Sequence, residues 1–108
     1  MSFFAAPTMV TRLIPHPVFA DADHANLKTI VYGGTPMYVQ DLKRALDLLG
    51  PRLQQIYGQG EAPMTITSLS KAMHANRGHP RGEARLGSAG IARTDVEVRV
   101  VDEEDRDL

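Results

Sequence analysis

The sequence predicts an α/β protein built on an open, mostly parallel sheet flanked by helices, with a β-hairpin starting near the C-terminus. Three observations carry this. Residues 27–32, Leu-Lys-Thr-Ile-Val-Tyr, become β-branched and aromatic toward their end and are cut off by Gly33-Gly34-Thr35-Pro36. Val39, Leu42, Leu46 and Leu49 then recur at helical spacing, with Asp41, Lys43, Arg44 and Asp47 facing elsewhere. Leu53 to Tyr57 is a second strand, broken by Gly58-Gln59-Gly60. Strand, glycine turn, helix and strand make a βαβ unit, which gives parallel strands and a right-handed crossover. Both glycine turns then fall at carboxyl ends of parallel strands, where open α/β sheets bind ligands.

The remaining elements follow in order. Ser2 to Ala6 is a short apolar run that reads as a buried strand. Pro7-Thr8 opens a helix with Met9, Leu13 and Ile14 on its apolar side, and Pro15 and Pro17 are expected to stop it. Asp21 to Asn26 is polar and reads as a loop or a short irregular helix. Gly50-Pro51 ends the helix begun at Val39, because Gly tolerates the left-handed conformation past a last turn and Pro cannot continue. Met64 to Thr67 reads as a short strand and Ser68 to Ala75 as a helical turn. The Gly- and Arg-rich stretch from His74 to Gly90 reads as a long loop. Val96 to Val101 alternates over its first part and reads as a strand with one wet face. Asp102 to Asp105 is a turn, and Arg106-Asp107-Leu108 begins a partner strand.

A length of 108 residues leaves room for one domain at most. The 43% hydrophobic and 23% charged residues are ordinary for a globular chain, and a net charge of -1 gives no electrostatic case for nucleic acid. The absence of cysteine excludes disulfides, thiolate catalysis and cysteine zinc sites. No apolar run is long enough to span a membrane. The N-terminus lacks a basic leader, so a cytoplasmic protein is expected. His16, His24, His74 and His79 lack metal-ligand spacing and are expected on the surface or in loops. Arg77, Arg81 and Arg85 have the chemistry to touch a phosphate or a coenzyme A tail, but a solvated loop is the simpler reading and the one expected.

Two motifs carry the functional argument. In Tyr32-Gly33-Gly34-Thr35-Pro36, paired glycines let backbone approach a flat ligand; the alternative is a tight turn alone. In Tyr57-Gly58-Gln59-Gly60-Glu61, exposed backbone and one carboxylate follow an aromatic strand end. Glu61 has the hard oxygens Mg²⁺ requires, and the alternative is a solvated glutamate. The two motifs lie one helix apart at the same predicted edge. Val31 to Met37 resembles the glycine-rich adenine-side segment of the adenylate-forming superfamily of AMP-dependent acyl-CoA synthetases. Ile56 to Glu61 resembles its Tyr-Gly-x-Thr-Glu segment. Gly87-Ser88-Ala89-Gly90 followed by Val96 to Asp102 resembles the lead into its small β-barrel, and Ala6 to Met9 matches an upstream strand-to-helix passage. The resemblance covers essentially the whole chain, in order.

By that resemblance, residues 1–90 form part of an α/β nucleotide- and acyl-binding subdomain of the large N-terminal domain, and 91–108 start a small β-barrel subdomain. In such enzymes a carboxylate attacks the α-phosphate of ATP, pyrophosphate leaves, and a thiol, usually of coenzyme A, takes the acyl group. The backbone of Gly33, Gly34 and Thr35 would lie along the adenine and one wall of the acid pocket. Tyr57 would stack near the adenine, Gly58, Gln59 and Gly60 would be among the cofactor-binding residues, and the segment Gln59 to Ala62 would run beside the carboxylate being activated. Glu61 would be the catalytic residue, as the Mg²⁺ ligand. The resemblance implies ATP, AMP and coenzyme A as substrates, with a fatty or other apolar acid. Gly60 stands where the family usually has Thr, which removes a phosphate-directed hydroxyl. The family's phosphate loop, ribose-binding aspartate and catalytic lysine are not in these 108 residues, so the isolated chain is expected to be inactive. The competing readings are a self-associating α/β fragment that pairs through exposed strand edges, and a stand-alone nucleotide-binding module.

Overall fold

A computed structural model describes the whole chain, residues 1–108. Strand β1 (Ser2–Ala5) leads into helix α1 (Pro7–Leu13), whose first turn takes Pro7 where a missing N–H costs no hydrogen bond. The two prolines that follow do not act alike. α1 ends before Pro15, but Pro17 opens a further short helix, α2 (Pro17–Ala20), instead of only blocking one. Strand β2 (Thr29–Tyr32) and strand β3 (Leu53–Tyr57) flank helix α3 (Val39–Leu49), and α3 and β3 have the limits read from the sequence. Gly50 closes α3 at φ 63° with its N–H on the Leu46 carbonyl at 2.8 Å.

Beyond β3 the order departs from expectation. Strand β4 is Thr67–Leu69, later than the expected 64–67, because Met64 at φ 61° is part of the turn before it. Helix α4 (Lys71–Ala75) is capped by Ser70, whose Oγ accepts from the Met73 N–H at 3.3 Å. The expected loop 74–90 contains the end of α4 and a further helix, α5 (Gly82–Leu86). Gly82 is the residue that lets α5 dock: a Cβ there would sit 2.9 Å from the Arg77 carbonyl oxygen. Strand β5 (Ile91–Ala92) completes the sheet.

The sheet runs β1-β2-β3-β4-β5, in chain order. β1, β2 and β3 are mutually parallel, so the chain contains two successive βαβ units; β4 and β5 add antiparallel. The expected βαβ unit is therefore present, within a mixed sheet. Pairing Ile30 with Leu53 and Tyr32 with Gln55 sets Phe3, Ala5, Ile30, Tyr32, Leu53 and Leu69 on one face. The core lies there, with Val10 of α1, Leu42, Ala45, Leu46 and Leu49 of α3, and Leu86 of α5. Full burial of Leu42, Leu49 or Leu53 contributes about 2 kcal/mol each. The other face carries Phe4, Val31, Gln54, Ile56, Ser68 and Ile91, none of them buried. Helices cover one side of the sheet only.

Residues 96–101 do not form the expected strand. Their one sheet contact is a bridge between Val101 and Asp107, supported by the Leu108 N–H on the Val100 carbonyl at 2.9 Å. The alternating pattern is present, but no neighbouring strand of the chain meets it. The turn residues do fold as read: the Asp102 carboxylate accepts from the Glu104 and Arg106 N–H groups and from Arg106 Nε. These backbone and side-chain donors hold its pKa below the usual carboxylate value, led by the Arg106 N–H. This extension raises the radius of gyration to 15.1 Å, against about 13 Å for a compact chain of this length. No helix is long and apolar enough to cross a membrane.

Candidate functional site

The two glycine bends meet. β2 and β3 are parallel neighbours, so Gly33 and Gly58 leave the same edge of the sheet. The approach is close enough to require glycine, since a Cβ on Gly33 would lie 2.4 Å from the Ile56 carbonyl oxygen. Gly34 follows at φ 93°, a left-handed conformation that side chains resist. Gly58 is enclosed by the returning loop, where a Cβ would lie 2.1 Å from the Met64 nitrogen. That loop is fixed by paired hydrogen bonds between Gln59 and Ala62 (3.2 and 3.1 Å) and by the Ile66 N–H on the Tyr57 carbonyl (3.1 Å).

The ridge formed by Gly33, Gly34, Ile56, Gly58 and Gln59 is the common wall of two cavities. One, of about 280 Å³, is completed by Thr35, Pro36, Gln55 and Tyr57. That is just under the roughly 300–1,000 Å³ of small-molecule sites. The second, of about 160 Å³, is completed by Phe4, Pro63 and Met64, so that Gln59 is its only polar side chain. No charged residue lines either. Tyr57 is 39% exposed, and its hydroxyl accepts from the Gln59 side-chain amide at 2.7 Å, which fixes the ring beside the first cavity.

The ridge is anchored from below. Tyr32, the residue before the first bend, is 1% exposed, and its hydroxyl lies 2.8 Å from Nε2 of His74, which is fully buried. His74 Nδ1 lies 2.7 Å from the Ser70 carbonyl oxygen, an acceptor only. Nδ1 therefore carries the proton, Nε2 accepts, and the tyrosine hydroxyl donates. The expectation of a surface or loop position for His74 is overturned: α4 turns it inward, where Tyr32 supplies the partner a buried imidazole needs. Burial lowers the His74 pKa and raises that of Tyr32 well above its ordinary value.

The sequence model of a family described as AMP-binding enzyme matches residues 1–108. The chain belongs to the AMP-binding enzyme family. A medium/long-chain-fatty-acid–CoA ligase of Mycobacterium tuberculosis is 36% identical over 97 residues, which is 90% of this chain and 16% of the relative. A fatty acid–[acyl-carrier-protein] ligase of Streptomyces coeruleorubidus is 30% identical over 102 residues, 94% of this chain and 19% of the relative. An amide bond synthetase of Marinactinospora thermotolerans superposes over all of this chain and 20% of its own, with a TM-score of 0.86 and 30% identity. The chain thus spans about a fifth or less of these relatives.

Within this AMP-binding enzyme fold, Gly33, Gly34, Thr35, Tyr57, Gly58 and Gln59 come together around one cavity. Gly60 and Glu61 do not line either cavity; both are exposed on the loop beyond Gln59. Glu61 makes no ion pair, and no group of three or more His, Cys, Asp or Glu could hold a metal by itself. A single exposed carboxylate can give Mg²⁺ only one oxygen, so phosphates would have to supply the others. Sequence reasoning missed Phe4, Gln55, Pro63 and Met64. Phe4 was accessible from strand alternation, since Phe3 and Ala5 take the core face; the others depend on how the loop returns.

Proposed function

We propose that the chain is part of an AMP-forming acid–CoA ligase and supplies one wall of the site where a carboxylic acid becomes an acyl-adenylate. The observation that carries this is the single glycine ridge with a cavity on each flank. The uncharged polar cavity suits the adenine: glycine backbone along its plane and Tyr57 as an aromatic platform. The apolar cavity of Phe4, Pro63 and Met64 suits the near end of a fatty or other apolar acid, in keeping with the fatty-acid ligases among the relatives. ATP, the acid and coenzyme A are the substrates in this reading, and the cytoplasm is the compartment that supplies them. Glu61 would contribute one oxygen to Mg²⁺, which neutralises phosphate charge when bound. Residues 91–108 would begin the small β-barrel subdomain.

A wall is not a whole site. Stabilising a pentavalent phosphate needs cations aimed at it, and neither cavity has one. The 108 residues alone should therefore bind the nucleotide weakly and exchange no pyrophosphate. Contacts limited to an adenine support an affinity of about millimolar. Titration of the ¹⁵N-labelled chain with AMP should shift the Gly33, Gly34 and Gln59 amides together. Shifts confined to other residues would refute the assignment of the cavity, and robust ATP–pyrophosphate exchange would refute the incompleteness. A second reading, self-association, is favoured by one specific feature. β1 is an edge strand on which Phe4 is 49% exposed beside an uncovered sheet face.

A further inference from the structure

The loop between α4 and α5 holds an imidazole with one donor too many. His79 Nδ1 lies 3.0 Å from the backbone N–H of Arg81, and its Nε2 lies 3.2 Å from an Arg85 guanidinium nitrogen. A neutral imidazole accepts at one nitrogen and donates at the other. In either tautomer, one of these contacts sets two donors against each other. The acids that would normally answer a cluster of donors are engaged elsewhere. Asp47 binds Arg77 at 2.6 Å and Glu83 binds Lys43 at 2.7 Å, while Arg81 and Arg85 have no carboxylate partner. His79, Arg81 and Arg85 line a depression of about 540 Å³, with Ser88, Met73 and Ile91 also on its wall. It shares no residue with the cavities of the glycine ridge.

We propose that this depression binds a phosphate monoester. Two guanidinium forks offer parallel N–H donors matched to phosphate oxygens, and a dianion balances their charge. Its oxygens also resolve the conflict at His79, by accepting from the nitrogen that has no acceptor of its own. Met73 and Ile91 provide an apolar flank for whatever the phosphate is esterified to. The site stands apart from the adenylate reading and fails or holds without it.

The test uses the full 108-residue chain, isotope-labelled and titrated at constant ionic strength with inorganic phosphate and, separately, with adenosine 3′,5′-bisphosphate. The His79 ring and Arg85 Nε–H resonances are followed. Saturable shifts are expected, weakened about tenfold in Arg85→Gln and in Arg81→Gln, the scale of one charge-assisted hydrogen bond. Arg44→Gln, which removes an equal charge at a distance, should leave the affinity unchanged. Saturation by inorganic phosphate supports a site for the free ion; saturation by the bisphosphate alone supports a nucleotide monoester lying against Met73 and Ile91. Linear, unsaturated shifts with both probes overturn the proposal. So does an equal loss of affinity in Arg44→Gln, which would reduce the effect to net charge.

Discussion

A Cβ at Gly60 would meet no heavy atom within 4 Å, and its backbone needs no positive φ. At Gly33 the same atom would press on the Ile56 carbonyl, which is backbone and cannot rotate away. The two glycines should therefore respond oppositely. Gly60→Thr should keep the fold and hold or raise stability by up to about 1 kcal/mol, because the unfolded chain loses freedom. Gly33→Ala should cost about 1–3 kcal/mol, because the strand edge must open. Urea denaturation of both variants checks the pair, and a Gly33→Ala midpoint at or above that of the parent would disprove the close approach. The bends themselves were legible, since glycine following a strand ending in tyrosine is a visible break. Which glycine is enclosed and which is open was not, because Gly58 is confined by Ala62 and Met64 only after the loop has turned back.

The tether between β2 and α4 has a consequence for acid stability. Folded His74 resists protonation because burial lowers its pKa, with the Ser70 carbonyl opposing in part. The unfolded histidine takes up its proton near pH 6.5, so below that pH the unfolded state binds more protons. This contribution to stability is complete above about pH 6.5 and declines as pH falls toward the folded pKa, below which the loss stops growing. Urea midpoints measured from pH 7.5 to 5 should fall in the parent and fall less in His74→Gln, which keeps hydrogen-bonding groups but does not titrate. Parallel curves would mean that other groups carry the dependence. Elements were legible where local pattern and packing agree: α3 has a four-residue apolar stripe and a Gly-Pro stop, and β3 follows directly. α5 was hidden because the glycines and arginines of the stretch around it signal a loop, whereas Gly82 is there for close docking on Arg77. Residues 96–101 show the reverse failure. Alternation specifies a strand's faces but cannot supply its partner.

At the scale of the molecule, the sheet has one dressed side and one bare side, with β1 and β5 as open edges. The chain should therefore self-associate as its concentration rises, and Phe4→Lys, which charges the β1 edge, should suppress this. Sedimentation equilibrium distinguishes the cases; a parent that stays monomeric into the millimolar range would exclude the second functional reading. The same layout bears on biosynthesis. Every strand pairs with the one made just before it, so no later segment has to be threaded between strands already in place. Because a chain emerges from the ribosome at about 5–20 residues per second, β1 and β2 can dock before β3 has emerged. Growth then proceeds at a single advancing border, each arriving strand finding its template ready and leaving the next one exposed.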